Sequence, residues 1–208
     1  MEYLREPHAI SRMSSEIIRR EADLSHLPPD LAPLAVRLIH SCGMVDIAGA
    51  LAFDPRVGVA GRAALDAGAP ILVDSRMVGS GITRAFLPRG NAVICRLDDD
   101  RVADLARVNA TTRSAAAVTL WRGDLNGAVV AIGNAPTALF RLLELLDDGA
   151  PKPAAILAFP VGFVGAAESK QALAADPRGV PFVTLLGRRG GSAMAAAAVN
   201  ALAAGEPA

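Results

Sequence analysis

The sequence predicts an α/β protein: a single, doubly wound, three-layer domain with a mainly parallel five-stranded sheet and an N-terminal helical section. The 208 residues favour one domain over positions 1–208, with enough chain to bury a large core. From residue 70 onward, short apolar runs alternate with helical stretches. Strands that are apolar on both faces and separated by helices are typical of a parallel sheet covered on both sides.

The N-terminal part of the chain is predicted to be helical. Within residues 6–23, apolar residues recur at helical spacing with charges between them: Ile10, Met13 and Ile17. A proline pair then breaks the chain, and Asp30 is the expected N-cap of a second helix over 31–42. Gly43 is the expected end of that helix, because glycine readily adopts the left-handed conformation found there.

Five predicted strands follow, each an apolar run bounded by turn residues: 70–74, 91–95, 128–133, 154–159 and 181–186. Helical patterns lie between them over 99–109, 112–121, 136–149 and 166–176, and the last helix, from Ser192, is rich in alanine. In sheets of this kind ligands bind beyond the carboxyl ends of the strands. The loops that follow the five runs are therefore where functional residues are expected.

Composition and charge exclude several classes of protein. The formal net charge is zero, which argues against a nucleic-acid binder that relies on bulk positive charge. No strongly apolar run reaches the length of about 18 residues that a membrane span needs. The N-terminus lacks the apolar core of a secretion signal. We therefore expect a cytoplasmic protein that binds neither nucleic acid nor membrane.

Residue types that ligate metals are few. The two cysteines, Cys42 and Cys95, form neither a disulfide framework nor a zinc motif, and the three histidines are scattered, so no metal site is predicted. Of the 21 basic residues, all but two are arginine. This bias reflects either genomic composition or a set of guanidinium groups that bind carboxylates through paired hydrogen bonds.

Three loops at predicted strand ends combine glycines with a helix start: 133–139, 160–170 and 185–195. A helix start presents unpaired N–H groups and a positive dipole, which favour an anion. The glycine spacing matches neither the dinucleotide-binding nor the P-loop pattern, so a nucleotide-dependent enzyme is disfavoured. Anion binding of a general kind stays open.

His40 stands near the end of the second predicted helix, in the segment RLIHSCGMVD. It is either a structural residue near the helix dipole or in the core, or a proton-transfer group, because histidine titrates near neutral pH. Cys42 points in a different direction from His40, so a thiol–imidazole pair is not expected. Arg113 opens a later helix, where a cation opposes the dipole, and an anionic partner would account for its position.

Five segments, in order, closely resemble the precorrin-8X methylmutase family of cobalamin biosynthesis: RLIHSCGMVD, PILVDSRMVGSGITR, GNAPTALF, PVGFVGAAESK and GRRGGSAMAAAAVNAL. The resemblance extends from about Ile10 to Ala201. It implies an isomerase, without an organic cofactor, that moves a methyl group from carbon 11 to carbon 12 of ring C in precorrin-8X and forms hydrogenobyrinate. It also implies a homodimer that holds this tetrapyrrole near the subunit interface.

The resemblance also assigns roles to single residues. His40 falls on the histidine of the family's motif and is expected to transfer a proton to the macrocycle. Ser14 and Arg113 match positions that contact the ligand, whose acetate and propionate arms are anionic. Further candidate contacts, chosen for their charge and their placement near strand ends, are Arg76, Lys170 and Ser192.

The sequence leaves two questions open. The substrate is either metal-free precorrin-8X or its cobalt-containing equivalent, which gives cobyrinate; the IHSCG form of the histidine segment resembles the cobalt-free branch more closely. The protein is either the enzyme or a carrier that holds a corrinoid without chemistry. Loops that bind anions would serve both roles.

Overall fold

The sheet of the computed structural model, which describes residue 1 and residues 3–205, has six strands. They are β1 Leu51–Phe53, β2 Ile71–Val73, β3 Val93–Cys95, β4 Val129–Ile132, β5 Ala155–Ala158 and β6 Phe182–Leu185. Their order across the sheet is β1-β6-β5-β4-β2-β3. Strands β2 to β6 pair in parallel, and β1 runs antiparallel to β6. The predicted α/β class and the mainly parallel sheet are confirmed.

The sheet has one strand more than the five that the sequence predicts. The additional strand, β1, is three residues long and pairs with β6 through Leu51 opposite Leu185 and Phe53 opposite Val183. Its residues are half-buried, so they form no long apolar run of the kind that marks a buried strand. The formation of a short edge strand such as β1 depends more on pairing with the neighbouring strand than on the strand's own sequence pattern.

Helices cover both faces of the sheet. They are α1 Pro7–Glu21, α2 Ala32–Cys42, α3 Val57–Asp66, α4 Arg76–Gly81, α5 Arg101–Val108, α6 Arg113–Thr119, α7 Pro136–Asp147, α8 Ala166–Ala175 and α9 Ser192–Ala204. The sequence predicts neither α3 nor α4, which are short and contain glycine, a poor helix former. A Cβ on Gly61 of α3 would lie 2.5 Å from Leu202 Cδ1, so α3 and α9 pack closely here and a larger residue would have to displace the Leu202 side chain.

The predicted N-terminal helices are present, with one correction at a helix cap. The N-cap position of α2 is occupied by Leu31, which makes no side-chain capping bond, so the prediction that Asp30 caps this helix is wrong. The helix begins at Ala32, with Pro33 in its first turn, where a fixed φ and a missing N–H are tolerated. Gly43 ends α2 as predicted, with a φ of +71° and its N–H donating to the Ile39 carbonyl at 2.7 Å.

The core lies on both faces of the sheet, which gives the fold three layers. In β4, Val129 and Ala131 belong to a cluster with α2, α3 and α9, whereas Val130 and Ile132 belong to one with α6, α7 and α8. The alanine-rich α9 is buried along most of its length at the centre of the first cluster. Its small side chains allow the neighbouring helices to approach closely, as at Gly81, where an added Cβ would lie 2.7 Å from that of Ala196.

Candidate active site

His40 lies in the last turn of α2, exposed between two cavities that both include it. The first, which we call the α1 cavity, has a volume of about 320 Å³ and is lined by α1 and by the residues around the end of α2, among them Ser14 and Val45. The second, the α9 cavity, has a volume of about 260 Å³ and is lined by α2, the end of α4 and α9, including Ala193. A ligand that entered both cavities would contact His40.

The arrangement of buried residues along α2 makes the His40 side chain face outward. Leu38 and Ile39 are buried in the core, so the next residue is turned outward to the cavities. Within the described residues the His40 ring has no hydrogen-bond partner, which leaves both ring nitrogens available to a ligand. The imidazole is therefore neither a core histidine nor part of a structural hydrogen bond, and it is accessible for proton exchange with a ligand.

Arg37 is a site residue that sequence reasoning missed. It lines the α9 cavity beside His40, its guanidinium lies 5.5 Å from the Phe86 ring centroid, and its Nε donates to the Gly205 carbonyl at 2.9 Å. Burial lowers the pKa of Arg37, yet an arginine stays protonated in proteins. Arg37 opens the segment RLIHSCGMVD, and its place three residues before His40 on one helix face is the signal that could have identified it. The α9 cavity therefore holds a fixed positive charge next to the histidine.

Asn200 fixes the opposite wall of the α9 cavity. Its Oδ1 accepts the N–H of Thr83 at 2.9 Å, and its Nδ2 donates to the Gly81 carbonyl at 3.0 Å. These two bonds hold the end of α4 against α9, where a Cβ on Gly81 would lie only 2.7 Å from that of Ala196. Asn200 lies in the segment GRRGGSAMAAAAVNAL, but the sequence does not indicate that its side chain would bridge α9 and the end of α4.

Ser14 is the one predicted ligand contact that the structure brings to a cavity shared with His40. Its hydroxyl donates to the Ile10 carbonyl at 2.9 Å, which leaves the oxygen able to accept a further hydrogen bond. The apolar residues around it face outward: Ile10, Met13 and Ile17 are 42%, 52% and 37% exposed. The periodic pattern that predicts α1 therefore marks an exposed stripe and not a core face.

Two predicted contacts lie outside both cavities. Arg76, at the start of α4, lines a separate cavity of about 350 Å³, and its Nε is 3.3 Å from the carboxylate of Asp98. Arg113 starts α6, on the other side of the sheet from α2; it is exposed, and its Nη2 donates to the Leu97 carbonyl at 3.2 Å. A single chain therefore does not place either arginine in the cavities around His40.

The remaining two predicted contacts are buried. Ser192 opens α9, and its Oγ lies 3.5 Å from the hydroxyl of Ser75. Lys170, in α8, is fully buried, and its Nζ donates to the Arg189 carbonyl at 2.6 Å. Burial lowers the pKa of Lys170 to about 8. Because both side chains are closed off from the surface, this arrangement does not support direct contact of either residue with the substrate.

One of the predicted anion-binding loops is occupied by a carboxylate of the protein itself. Asp74, directly after β2, accepts the N–H groups of Gly133, Asn134 and Ala135 at 2.9, 2.9 and 2.8 Å. Burial raises the pKa of Asp74, and the three N–H donors oppose that shift. The turn before α7 is therefore a structural joint between two strand ends and not an open site for a ligand anion.

Fold and site together define an α/β enzyme. The mainly parallel sheet carries, at its carboxyl edge, an unpaired histidine between two open cavities and a fixed arginine beside it. Over residues 1 and 3–205, no group of three His, Cys, Asp or Glu side chains is placed to hold a metal ion. In the same part of the chain, no helix is long and apolar enough to cross a membrane.

The particular family follows from the sequence of the whole chain. The profile of the precorrin-8X methylmutase family matches residues 9–204, and the chain belongs to this family of isomerases of cobalamin biosynthesis. A precorrin-8X methylmutase of Pseudomonas aeruginosa is 63% identical, with 98% of each chain covered. One from a Sinorhizobium species is 59% identical, covering 97% of this chain and 96% of the relative. A cobalt-precorrin-8 methylmutase of Salmonella typhimurium is 37% identical, with 97% of each covered.

A solved structure supports the same assignment at the level of the fold. The precorrin-8X methylmutase from Thermus thermophilus superposes with a TM-score of 0.83 at 39% sequence identity, and the match covers 93% of both chains. The likeness thus includes the sheet and both helical layers. The enzyme class that the resemblance implied, an isomerase, is confirmed, whereas the roles of the individual site residues stay predictions.

Proposed function

We propose that this chain moves the methyl group on carbon 11 of precorrin-8X to carbon 12 of ring C, giving hydrogenobyrinate, with His40 as the proton donor. The observation that carries this proposal is the unpaired imidazole of His40 between the α1 and α9 cavities. A flat macrocycle with one part in each cavity would lie across this imidazole. Membership of the methylmutase family supplies the type of reaction.

His40 would act as a general acid. A proton on a ring nitrogen or on a neighbouring carbon makes the conjugated macrocycle more electron-poor, which eases the shift of the methyl group with its bonding electrons to the adjacent carbon. The reaction is an isomerisation, so the proton is returned once the methyl group has moved. General acid catalysis contributes about 10²- to 10⁴-fold. The rest of the rate enhancement must come from holding the ring in a reactive shape and from excluding water.

The metal-free precursor is the proposed natural substrate. The two relatives named precorrin-8X methylmutase are 63% and 59% identical to this chain, whereas those named cobalt-precorrin-8 methylmutase are 32–37% identical. We expect the residues that distinguish a metal-free from a metallated ring to be the same in this chain as in its more similar relatives. The identity gap supports the cobalt-free branch for this reason.

The experiment that tests the function gives the purified protein the metal-free and the cobalt-containing precursors separately. Absorbance of the macrocycle reports methyl migration, because the shift changes the conjugation of the ring. We expect turnover of the metal-free compound and a kcat/KM at least about tenfold lower for the cobalt compound. This ratio corresponds to a loss of about 1.4 kcal/mol in transition-state stabilisation. Preference for the cobalt compound would contradict the substrate assignment. Tight binding of product without turnover of either precursor would favour the carrier role.

A homodimer is the second part of the proposal. Both cavities are open; the one of about 320 Å³ lies at the lower end of the roughly 300–1,000 Å³ that ligand pockets occupy, and the one of about 260 Å³ lies below that range. A tetrapyrrole therefore needs a further wall, which a second copy of the chain would provide. The exposed stripe of α1, formed by Ile10, Met13 and Ile17, borders the α1 cavity and is the surface that such a copy would cover.

Replacement of Met13 by aspartate is expected to weaken this dimer, because a carboxylate on the α1 stripe must lose its water on association. Sedimentation velocity at micromolar concentration should show a shift from dimer to monomer, with activity reduced in parallel. Val108→Asp is the matched control, since Val108 is 71% exposed on α5, away from α1. A wild-type protein that sediments as a monomer while retaining full activity would contradict the dimer proposal.

Arg113 is proposed to bind a carboxylate arm of the substrate. Because α6 lies across the sheet from α2, Arg113 and His40 contact one ligand only if it extends around the carboxyl edge or if the second copy supplies one of them. Arg113→Ala is expected to raise the dissociation constant about tenfold at low salt, which corresponds to about 1.4 kcal/mol. The loss should shrink in 1 M salt, where the screening length is about 3 Å.

Titration of the protein with product at two salt concentrations checks this prediction. Arg107→Ala serves as the control, because Arg107 is an exposed arginine on α5 that pairs with Asp104 at 3.2 Å. An unchanged dissociation constant in Arg113→Ala would show that this side chain serves structure, through its bond to the Leu97 carbonyl.

A further inference from the structure

Lys170 is a fully buried amino group in α8 without an acidic partner. Its Nζ donates to the Arg189 backbone carbonyl, and within residues 1 and 3–205 no carboxylate forms an ion pair with it. Burial of an amino group without a counter-charge is costly, and an apolar side chain of similar length would fill the same space at lower cost. The presence of a lysine at this position therefore calls for a reason, and the reason we find is the loop that its N–H bond contacts.

The bond from Lys170 fixes the glycine-rich loop 187–191 together with two main-chain hydrogen bonds to β5 and to the segment after it. Gly191 donates its N–H to the Phe159 carbonyl at 2.8 Å, at the end of β5. The carbonyl of Arg188 accepts the N–H of Gly162 at 3.1 Å. The loop is thereby attached to α8, to β5 and to the segment that follows β5.

Loop 187–191 leads to the walls of both cavities around His40. The helix α9 begins directly after it and supplies Ala193 to the α9 cavity. On the other side, the Arg189 guanidinium donates to Asp46 Oδ2 at 2.7 Å, and Asp46 follows Val45, which lines the α1 cavity. A displacement of the Arg189 backbone would therefore reach both walls.

We infer that Lys170 is a positioning residue for the isomerase reaction: its N–H bond to the Arg189 carbonyl sets loop 187–191 and, through this loop, the walls on either side of His40. Both an ammonium and a neutral amine donate an N–H to a carbonyl, so the role does not depend on one charge state. The kinetic part of this inference rests on the function proposed above, whereas the geometric part does not.

The test compares Lys170→Met with Ser169→Ala in the full chain. Ser169 is an equally buried polar neighbour in α8, but its Oγ bonds within the helix, to the Ala166 carbonyl at 3.2 Å. It therefore controls for the loss of a buried polar group that does not reach the loop. The chain has three histidines, so the ring NMR signals of His40 are identified by their loss in His40→Ala.

In Lys170→Met we expect the ring signals of His40 to shift while those of His8 and His26 stay in place. We also expect kcat for methyl migration to fall about tenfold or more, with KM changed by less than about threefold, because small misplacements of catalytic geometry act mainly on the chemical step. Ser169→Ala should leave the His40 signals and kcat unchanged. Lys170→Gln, which retains a shorter donor, should lose less kcat than Lys170→Met.

A wild-type kcat in Lys170→Met overturns the inference, and so does a loss of kcat without a shift of the His40 signals. Equal losses in Ser169→Ala would show general loosening of α8 and overturn it as well. If Lys170→Met does not fold, Lys170→Gln replaces it: a partial loss of kcat with shifted His40 signals supports the inference, and any other result overturns it. Absence of turnover in the wild type contradicts the proposed function but leaves the NMR comparison valid.

Discussion

Replacement of His40 by alanine is expected to lower kcat for methyl migration by about 10²- to 10⁴-fold, the usual contribution of general acid catalysis. The ring of His40 is exposed and has no hydrogen-bond partner within the described residues, so its removal breaks no structural bond. The free energy of unfolding should therefore stay within about 0.5 kcal/mol of wild type, as for most surface substitutions. Binding of the product should also survive, since other groups line both cavities.

Single-turnover absorbance measurements of the macrocycle separate the chemical step from binding. His26→Ala is the matched control, because His26 is an exposed histidine whose Nε2 lies 3.2 Å from the Ala48 carbonyl and which lines neither cavity. Wild-type turnover in His40→Ala would remove His40 from the mechanism. A comparable loss in His26→Ala would show that the assay responds to stability and not to proton transfer.

The sequence predicts the layers of this fold well because the signals for buried parallel strands are local. Five apolar runs each coincide with one strand, from β2 to β6, and Gly43 ends α2 where its φ of +71° requires it. The edge strand β1 could not be predicted in the same way, because its three residues form a strand only through pairing with β6.

The site is harder to predict because its contacts join residues that are distant in the sequence. His40 lies in one of the family-like segments and Ser14 matches a position of the family, and the two residues share the α1 cavity. Arg37 opens the same segment as His40, but its place there does not predict that it lines the α9 cavity. Lys170 has a charge and a glycine-rich neighbourhood that indicate a ligand contact, yet it is buried beneath a loop. Charge and position along the chain do not reveal which side of a loop a side chain occupies.

Asp74 also makes contacts with residues that are distant in the sequence, and these contacts matter for stability. In the sequence Asp74 is an acidic residue at a strand end, with nothing to connect it to the predicted anion-binding loop at 133–139. In the structure its carboxylate accepts the N–H groups of the turn at 133–135, which is 59 to 61 residues away in the chain. The turn lies against the start of α9, where a Cβ on Gly133 would be 2.8 Å from Ser192 Cα. Any movement of this turn therefore displaces the helix that forms the wall of the α9 cavity.

Asp74→Ala is expected to destabilise the fold by about 3 kcal/mol, because three N–H groups lose their acceptor and the one on Gly133 is buried. In a chain of 208 residues this lowers Tm by about 6–12 °C. Asp74→Asn should be intermediate, since its amide offers one acceptor oxygen but turns an NH₂ toward N–H donors. Thermal unfolding followed by circular dichroism measures both variants.

Asp104→Ala is the control, because Asp104 is an exposed aspartate whose pair with Arg107 is solvated, and surface pairs of this kind contribute about 0–1 kcal/mol. Equal stability of Asp74→Ala and Asp104→Ala would contradict the structural role of Asp74. Measurement of kcat distinguishes an effect of Asp74 on the site from its effect on stability. If the turn positions α9, kcat of folded Asp74→Asn should fall at a temperature well below its Tm, because loss of Asp74 acts on the site before it unfolds the chain.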